Sequence, residues 1–265
     1  MALPSALALR QRLTWPDLRF LVLPAALIAL WSWATQQPWV NTKIIVPPSL
    51  VLSTAWTELH RPEFYQGVGM SLMRDLSGFT IGALAGTALG ILLGVSRWAR
   101  LLIGPTFHTL RQISLFAWLP LLAALVGSGD LSKIVFIAFS TFYPVVLATS
   151  EGVGSVNVAH LEVARVLRFS PTQILFRLIL PSASPQILSG LKLGLIYAWL
   201  ATIGAEFLLY DFSAGIGQTV FKGRSAFRVD LILFGLAVIG LIGHGFTRLA
   251  QHAEQRLLRW QARAH

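Results

Sequence analysis

Six stretches of this chain stay apolar for about 20 residues or more, the length that carries an α-helix across the ~30 Å hydrocarbon core of a bilayer. They fall at roughly 18–37, 70–95, 101–127, 131–150, 185–210 and 229–250. Inside lipid no water satisfies backbone N–H and C=O groups, so each run must satisfy its own, which a helix does. Composition agrees. Of 265 residues, 55% are hydrophobic and 12% charged, against about 25% charged in a soluble domain. The expected fold is an all-α membrane protein of about six transmembrane helices. Residues 1–17 are read as a cytoplasmic lead-in, 18–250 as one transmembrane domain and 251–265 as a cytoplasmic tail.

The chain contains no cysteine and carries a net charge of +10. The absence of cysteine excludes disulfides and thiolate metal sites. The positive charge is spread over short loops rather than gathered in a basic domain, so it argues for membrane orientation and attraction to anions, not for nucleic acid. With the N-terminus inside, twelve of the 21 Lys and Arg residues fall on the cytoplasmic side and seven outside. That bias places both termini in the cytoplasm. The opening "MALPSALALRQR" lacks the basic-then-apolar order of a signal peptide and is expected to be retained.

Two spans carry internal features. The second holds Gly78, Gly82, Gly86, Gly90 and Gly94. Steps of four residues drift slowly around a helix, and glycine lets another backbone approach closely in lipid. That face is expected to be covered by protein, either as ordinary packing or as a tight crossing in a moving core. The third run, 26 residues from Leu101 to Val126, holds Pro105 and Pro120 with Arg111, Gln112 and Ser114 between them, and Trp118 just before the second proline. Prolines bend helices, and polar broken backbone at membrane depth is tolerated inside protein or beside water. Arg111, Gln112, Ser114 and Trp118, with Glu206 in the fifth span, are the candidate translocation path. The competing reading lets Arg111 snorkel to the inner interface and Glu206 reach outer water. Asp130 and Lys133 read as a solvated outer pair, and Lys192 as snorkelling to the cytosol.

Between the fourth and fifth spans lies a charged loop, residues 157–181, far longer than a connection requires. Glu162, Arg165 and Arg168 recur every three residues, while Ala159, Val163, Val166 and Leu167 fall mainly on another face. This predicts a short amphipathic helix ending near Arg168. Ser170, Pro171 and Gln173 then form a second helix start, Ser-Pro-x-Gln, and the new helix is expected to stop or bend near Pro181. Local physics leaves open a docking element or a hairpin lying on lipid headgroups.

The spacing of that loop resembles the signature loop of bacterial ABC importer permeases: Glu-Ala-Ala, three residues, Gly, nine residues, Ile-x-Leu-Pro. Here Glu162, Val163 and Ala164 are followed by Arg168 at the glycine position, then Leu178, Leu180 and Pro181. Arginine at the joint suggests a turn displaced to Phe169 or of another geometry. Further segments, among them "IIVPPSLVLSTAW", "GLKLGLIYAWLATIGAEFL" and "GIGQTVFKGRSAFRVDLI", resemble the sulfonate, taurine and nitrate permease group. In the third run, "RQISLFAWLP" replaces that group's Arg-Pro-x-Pro-Pro pattern.

The resemblance implies a type I ABC importer permease fold with cytoplasmic coupling helices between spans 4 and 5. It implies a homodimer, two cytoplasmic ATPase subunits carrying ATP and Mg, an external solute-binding protein and a small anionic cargo. Glu162, Val163, Ala164, Arg165, Arg168, Leu178, Leu180 and Pro181 would then couple to the ATPase, and Lys222, Arg224 and Arg228 in an outer loop are candidates for docking the binding protein. The location implied is the bacterial inner membrane. The chain has no Gly-Lys pair, hence no Walker A loop, and no cofactor of its own is expected. Two rivals remain. An ion-coupled secondary transporter would need buried carboxylates, for which only Glu206 and Asp75 qualify. A membrane enzyme would need a motif such as His-x-x-Glu-His or Gly-x-Ser-x-Gly, and the six scattered histidines form none.

Overall fold

The computed structural model describes residues 19–42, 44–209 and 213–258. In chain order the helices are α1 (Arg19–Ala34), α2 (Pro48–Leu59), α3 (Pro62–Val95), α4 (Arg97–Leu102), α5 (Gly104–Leu110), α6 (Leu119–Val126), α7 (Asp130–Gly154), α8 (Val158–Val166), α9 (Pro171–Ile174), α10 (Leu180–Leu208), α11 (Ile216–Ser225) and α12 (Val229–Leu257). Among the described residues, four helical segments are long and apolar enough to cross a membrane: α3, α7, the continuous run Pro171–Leu208, and α12. A fifth arises if the α5–α6 pair counts as one broken span. α1 has 16 residues, about 24 Å at 1.5 Å per residue, short of the hydrocarbon core.

The bundle is organised around α7, which lies between α3 and α10. Small residues on both neighbours bring the axes together. A Cβ added to Gly78 would stand 2.6 Å from the Ile137 side chain, and one at Gly90 2.5 Å from Thr149. Gly82, Gly86 and Gly94 likewise face Thr141, Val145 and Val153. So α3 lays its whole glycine stripe along one helix of the same chain. From the other side, Gly190 and Gly194 of α10 meet Ala148 and Val145. Lipid offers no hydrophobic reward for helix association, so close van der Waals approach of this kind does the holding. The core fills with Leu119, Leu122, Phe136, Ile137, Ala198, Ala201 and Ala205. Leucines such as Leu84, Leu125 and Leu241 point outward, as lipid-facing side chains can.

Four expectations about boundaries change. α3 begins at Pro62, not near 70, and its 34 residues run about 51 Å, so it projects beyond the hydrocarbon. The third run is bent: α5 and the segment Leu115–Val126 meet at 91°, because Gln112–Ser114 leave the helix and Pro120 starts the next one. The helix beginning at Pro171 does not stop at Pro181. A π turn at Leu175–Ile179 widens the backbone just where the Pro181 ring would clash with the Arg177 carbonyl, and the helix runs on to Leu208. Finally, α12 extends to Leu257, so residues 251–257 of the expected tail are helix; the rest of the tail, beyond residue 258, lies outside the described residues, as does the lead-in at 1–17.

Candidate functional site

The named residues fall in three places along the bundle. The charged loop is the first. Asn157 caps α8 by accepting from the Ala159 amide at 2.9 Å. The helix closes through two backbone bonds, Phe169 N to Ala164 O at 3.0 Å and Arg168 N to Arg165 O at 2.9 Å, the pair that defines a Schellman motif. This puts Arg168 itself at φ 56°. The joint therefore does not move to Phe169; arginine adopts the left-handed conformation that glycine reaches without a steric penalty. Ser170 and Gln173 form a reciprocal capping box, with Ser170 N donating to Gln173 Oε1 at 2.8 Å and Gln173 N to Ser170 Oγ at 3.3 Å.

Ala164 packs inward, while Glu162, Arg165 and Arg168 are exposed together with Val158, Val163, Val166 and Leu167. Leu178 and Leu180 are half-buried around the buried Ile179, and Pro181 is exposed. They form the root that joins the loop to α10.

The second place is the break between α5 and α6. Arg111, Gln112 and Ser114 are exposed there. Trp118 stacks on Phe139 with ring centroids 6.0 Å apart, and its buried indole N–H has no acceptor among the described residues. Arg111 lines a cavity of about 340 Å³ with Tyr143 and Tyr197.

Glu206 does not join Arg111. It belongs to the third place, where the N-terminal parts of α3 and α7 meet the C-terminal end of α10, and it does not reach water: Glu206 and Arg74 are both 0% exposed. Arg74 Nη1 lies 2.7 Å from Glu206 Oε1 and donates to the Ala214 carbonyl at 2.7 Å. Its Nη2 donates to Ser213 Oγ at 3.0 Å and its Nε to Asp130 Oδ1 at 2.9 Å. Glu206 also accepts from Ser71 Oγ at 2.7 Å and from the Gly217 amide at 2.9 Å. A Cβ at Gly215 would stand 2.6 Å from the Glu206 carboxylate, so only glycine lets this backbone fold so close. Buried charges persist when paired and hydrogen-bonded on every side, and this cluster meets that condition.

The outer pair expected between Asp130 and Lys133 is replaced by other partners. Asp130 pairs with Arg74, and Lys133, fully buried, donates from Nζ to Ser213 Oγ at 2.9 Å. Asp75 is buried too and accepts from Thr202 at 2.9 Å. Lys192 pairs with Glu254 of α12 at 3.0 Å, both side chains partly exposed. A one-dimensional reading missed Arg74 and Lys133 as interior groups. The available signal was their position beside long apolar runs, where an ionisable residue usually has a partner.

Around this cluster opens a polar cavity of about 780 Å³, with Glu58, Arg61, Glu63, Lys222 and Arg228 among its walls. Arg228 is held by Asp230 at 2.7 Å. Arg224 lies outside it, 5.5 Å above the Phe207 ring. The three outer cations thus have different surroundings, though all sit on or beside α11.

Residues 81–259 match the family described as binding-protein-dependent transport system inner membrane component. Over 255 residues the chain is 33% identical to a Bacillus subtilis protein that carries the name of an aliphatic sulfonates transport permease, covering 95% of this chain and 90% of that one. It is 32% identical over 182 residues to a Synechocystis protein named as a nitrate import permease, covering 67% of this chain and 66% of that one. Among solved structures, a bacterial ABC transporter involved in import of the acidic polysaccharide alginate aligns with a TM-score of 0.65 at 15% identity, over 90% of this chain and 92% of that one. That likeness concerns the fold.

Proposed function

The chain belongs to the binding-protein-dependent transport system inner membrane components, the permease subunits of ABC importers, and from that membership we propose how it works and what it carries. Two copies form the pathway across the inner membrane. Each contributes the six spans read from the sequence, with α1 as the described part of the first and the bent α5–α6 pair as the third, and both termini lie in the cytoplasm. Two cytoplasmic ATPase subunits bind ATP and Mg, and an external solute-binding protein delivers the cargo. The permease itself is non-catalytic.

The loop from Asn157 to Pro181 is the coupling element. Its support is the exposed face of α8, where Val158, Val163 and Val166 lie uncovered beside Glu162 and Arg165. An apolar patch rimmed by charge fits a protein groove better than water. Ala164 seats the helix, Arg168 turns the chain, and Leu178, Leu180 and Pro181 pass motion into α10.

The cargo is a small anion, an aliphatic sulfonate first, with taurine and nitrate as alternatives. The observation that carries this is 33% identity, over an alignment covering 95% of the chain, with a permease named for aliphatic sulfonates. Of the two buried carboxylates that an ion-coupled carrier could use, Glu206 is committed to Arg74, Ser71 and the Gly217 amide and Asp75 accepts from Thr202 through one oxygen; family membership, rather than these two groups, favours the ABC importer.

Calorimetric titration of the partner binding protein with ethanesulfonate, taurine and nitrate tests the cargo. Binding of at least one is expected; refusal of all three with uptake of a neutral or cationic solute overturns it. Glu162→Lys tests the coupling loop. The variant should insert normally and lose ATP-coupled uptake, and undiminished coupling would remove Glu162 from that role.

A further inference from the structure

Two cavities open along a single face of α7. The upper, about 340 Å³, is walled by Arg111, Ser140, Tyr143 and Tyr197 with Ile113 and Leu115. The lower, about 430 Å³, is walled by Arg100, His108, Ser150 and Glu151. Leu147 belongs to both. Ser140, Tyr143, Leu147, Ser150 and Gly154 recur at three or four residues, one side of a helix over about 21 Å. Facing that side, α4 and α5 supply Arg100 and His108 to the lower cavity, and the break after α5 supplies Arg111 to the upper one.

The upper cavity offers hydrogen-bond donors without acceptors to use them. Arg111 has no ion pair among the described residues, and the hydroxyls of Tyr143 and Tyr197 have no hydrogen bond there. The Ser140 hydroxyl is spent on the Tyr197 carbonyl at 2.9 Å. A forked guanidinium and two phenols suit an oxyanion, since they can meet several oxygens at once. Ile113 and Leu115 offer the same ligand an apolar wall. The volume is at the lower end of small-molecule sites. In the lower cavity Arg100 is engaged with the Leu93 and Gly94 carbonyls, and Glu151 supplies negative charge toward the loop that leads into α8.

We propose that this face of α7 is the inward leg of the transport route and that Arg111, Tyr143 and Tyr197 form a station selecting a small oxyanion with an apolar tail. The proposal rests on the importer reading above and adds the residues that choose the cargo within the membrane. Tyr143 and Tyr197 are the new members. Past the station the anion moves along Leu147 toward His108 and Arg100, and Glu151 disfavours its lingering at the mouth.

The test uses the chain's lack of cysteine. Leu147→Cys is made in the assembled transporter in membrane vesicles, with Ile113→Cys as a second site should the first fail to insert. Each is labelled with 2-sulfonatoethyl methanethiosulfonate, itself an ethanesulfonate, or with its cationic trimethylammonio counterpart. Rates on this chain are read by mass and divided by each reagent's rate with free cysteine. A preference of about tenfold for the sulfonate reagent is expected, as for a cationic cleft that concentrates anions. Adding Arg111→Gln should abolish it, and Tyr143→Phe with Tyr197→Phe should weaken protection by millimolar ethanesulfonate. Failure of both reagents to reach either cysteine, a cationic preference, or a preference that survives Arg111→Gln would overturn the proposal. The cargo reading fails separately. If the binding protein refuses sulfonates while the labelling preference persists, the station stands for another anion; if sulfonate is imported and no preference exists, the station falls alone.

Discussion

Arg74 and Glu206 face each other at 2.7 Å with neither side chain exposed, across 132 residues of sequence. Around them the loop Ser213–Gly217 is tied to α3 and α10 by the Ala214 carbonyl, the Ser213 hydroxyl and the Ile216 and Gly217 amides. Removing Arg74 leaves Glu206 buried without its counter-charge, which typically costs about 3–5 kcal/mol, whereas removing Glu206 leaves Arg74 still paired with Asp130. Arg74→Met is therefore expected to lower the thermal midpoint of the detergent-solubilised chain sharply, and Glu206→Ala to lower it less. The double variant should lose less than the sum of the two, giving a coupling energy of about 1 kcal/mol or more. Strict additivity in the melting cycle would show that the pair is not a clamp.

The glycines of α3 divide into two kinds. A Cβ at Gly82 would press on the Ala138 carbonyl and the Thr141 side chain, while at Gly69 it would meet nothing within 4 Å. Gly82→Leu should cost about 1–3 kcal/mol as overpacking and reduce uptake. Gly69→Ala should be neutral or stabilising by up to about 1 kcal/mol, since alanine restricts the unfolded chain and favours helix. Equal melting temperatures for Gly82→Leu and wild type would mean that α3 and α7 can part without loss.

At the loop joint, Arg168 holds φ 56°, a conformation that costs an ordinary L-residue roughly 1–2 kcal/mol relative to the right-handed region. Arg168→Gly should relieve part of that and slow amide hydrogen exchange across α8 and α9. Arg168→Val, with its branched Cβ, should speed it. Faster exchange in the glycine variant would indicate that the arginine side chain contributes more than its backbone costs.

The helices were legible because apolar length is a local property. The stripe Gly78 to Gly94 was visible for the same reason, although its partner α7 was not. What escaped the sequence depends on contacts between distant segments. Arg74 and Asp75 looked like the outer end of a span, because nothing within the same window shows Glu206 or Thr202 approaching them. Pro181 reads as a helix stop or bend by its missing N–H, but a π turn at Leu175–Ile179 absorbs the clash and the helix continues. Arg111 stands out by its charge in an apolar run, whereas no local pattern singles out Tyr143 and Tyr197, which only a shared cavity sets beside it.

Lys222, Arg224 and Arg228 were grouped by sequence as one docking surface, yet their surroundings separate them. Arg228 is pinned to Asp230, which also accepts from Thr54 at 2.6 Å, and so ties α2 to α12. Arg224 covers the Phe207 ring. Lys222 is exposed on the wall of the outer cavity and has no ion pair among the described residues. A rim charge of that kind acts mainly on the rate of encounter and is screened by salt, with a Debye length of about 8 Å at physiological ionic strength. Lys222→Glu should therefore slow association of the solute-binding protein severalfold at low salt and little at high salt, leaving the melting temperature unchanged. Arg228→Ala should do the reverse, lowering stability by about 1–3 kcal/mol through the unpaired Asp230 with a smaller change in the salt slope. Surface plasmon resonance across a salt series, with melting curves on the same preparations, separates the two. A Lys222→Glu variant whose association rate matches wild type at low salt would take this face out of the docking surface.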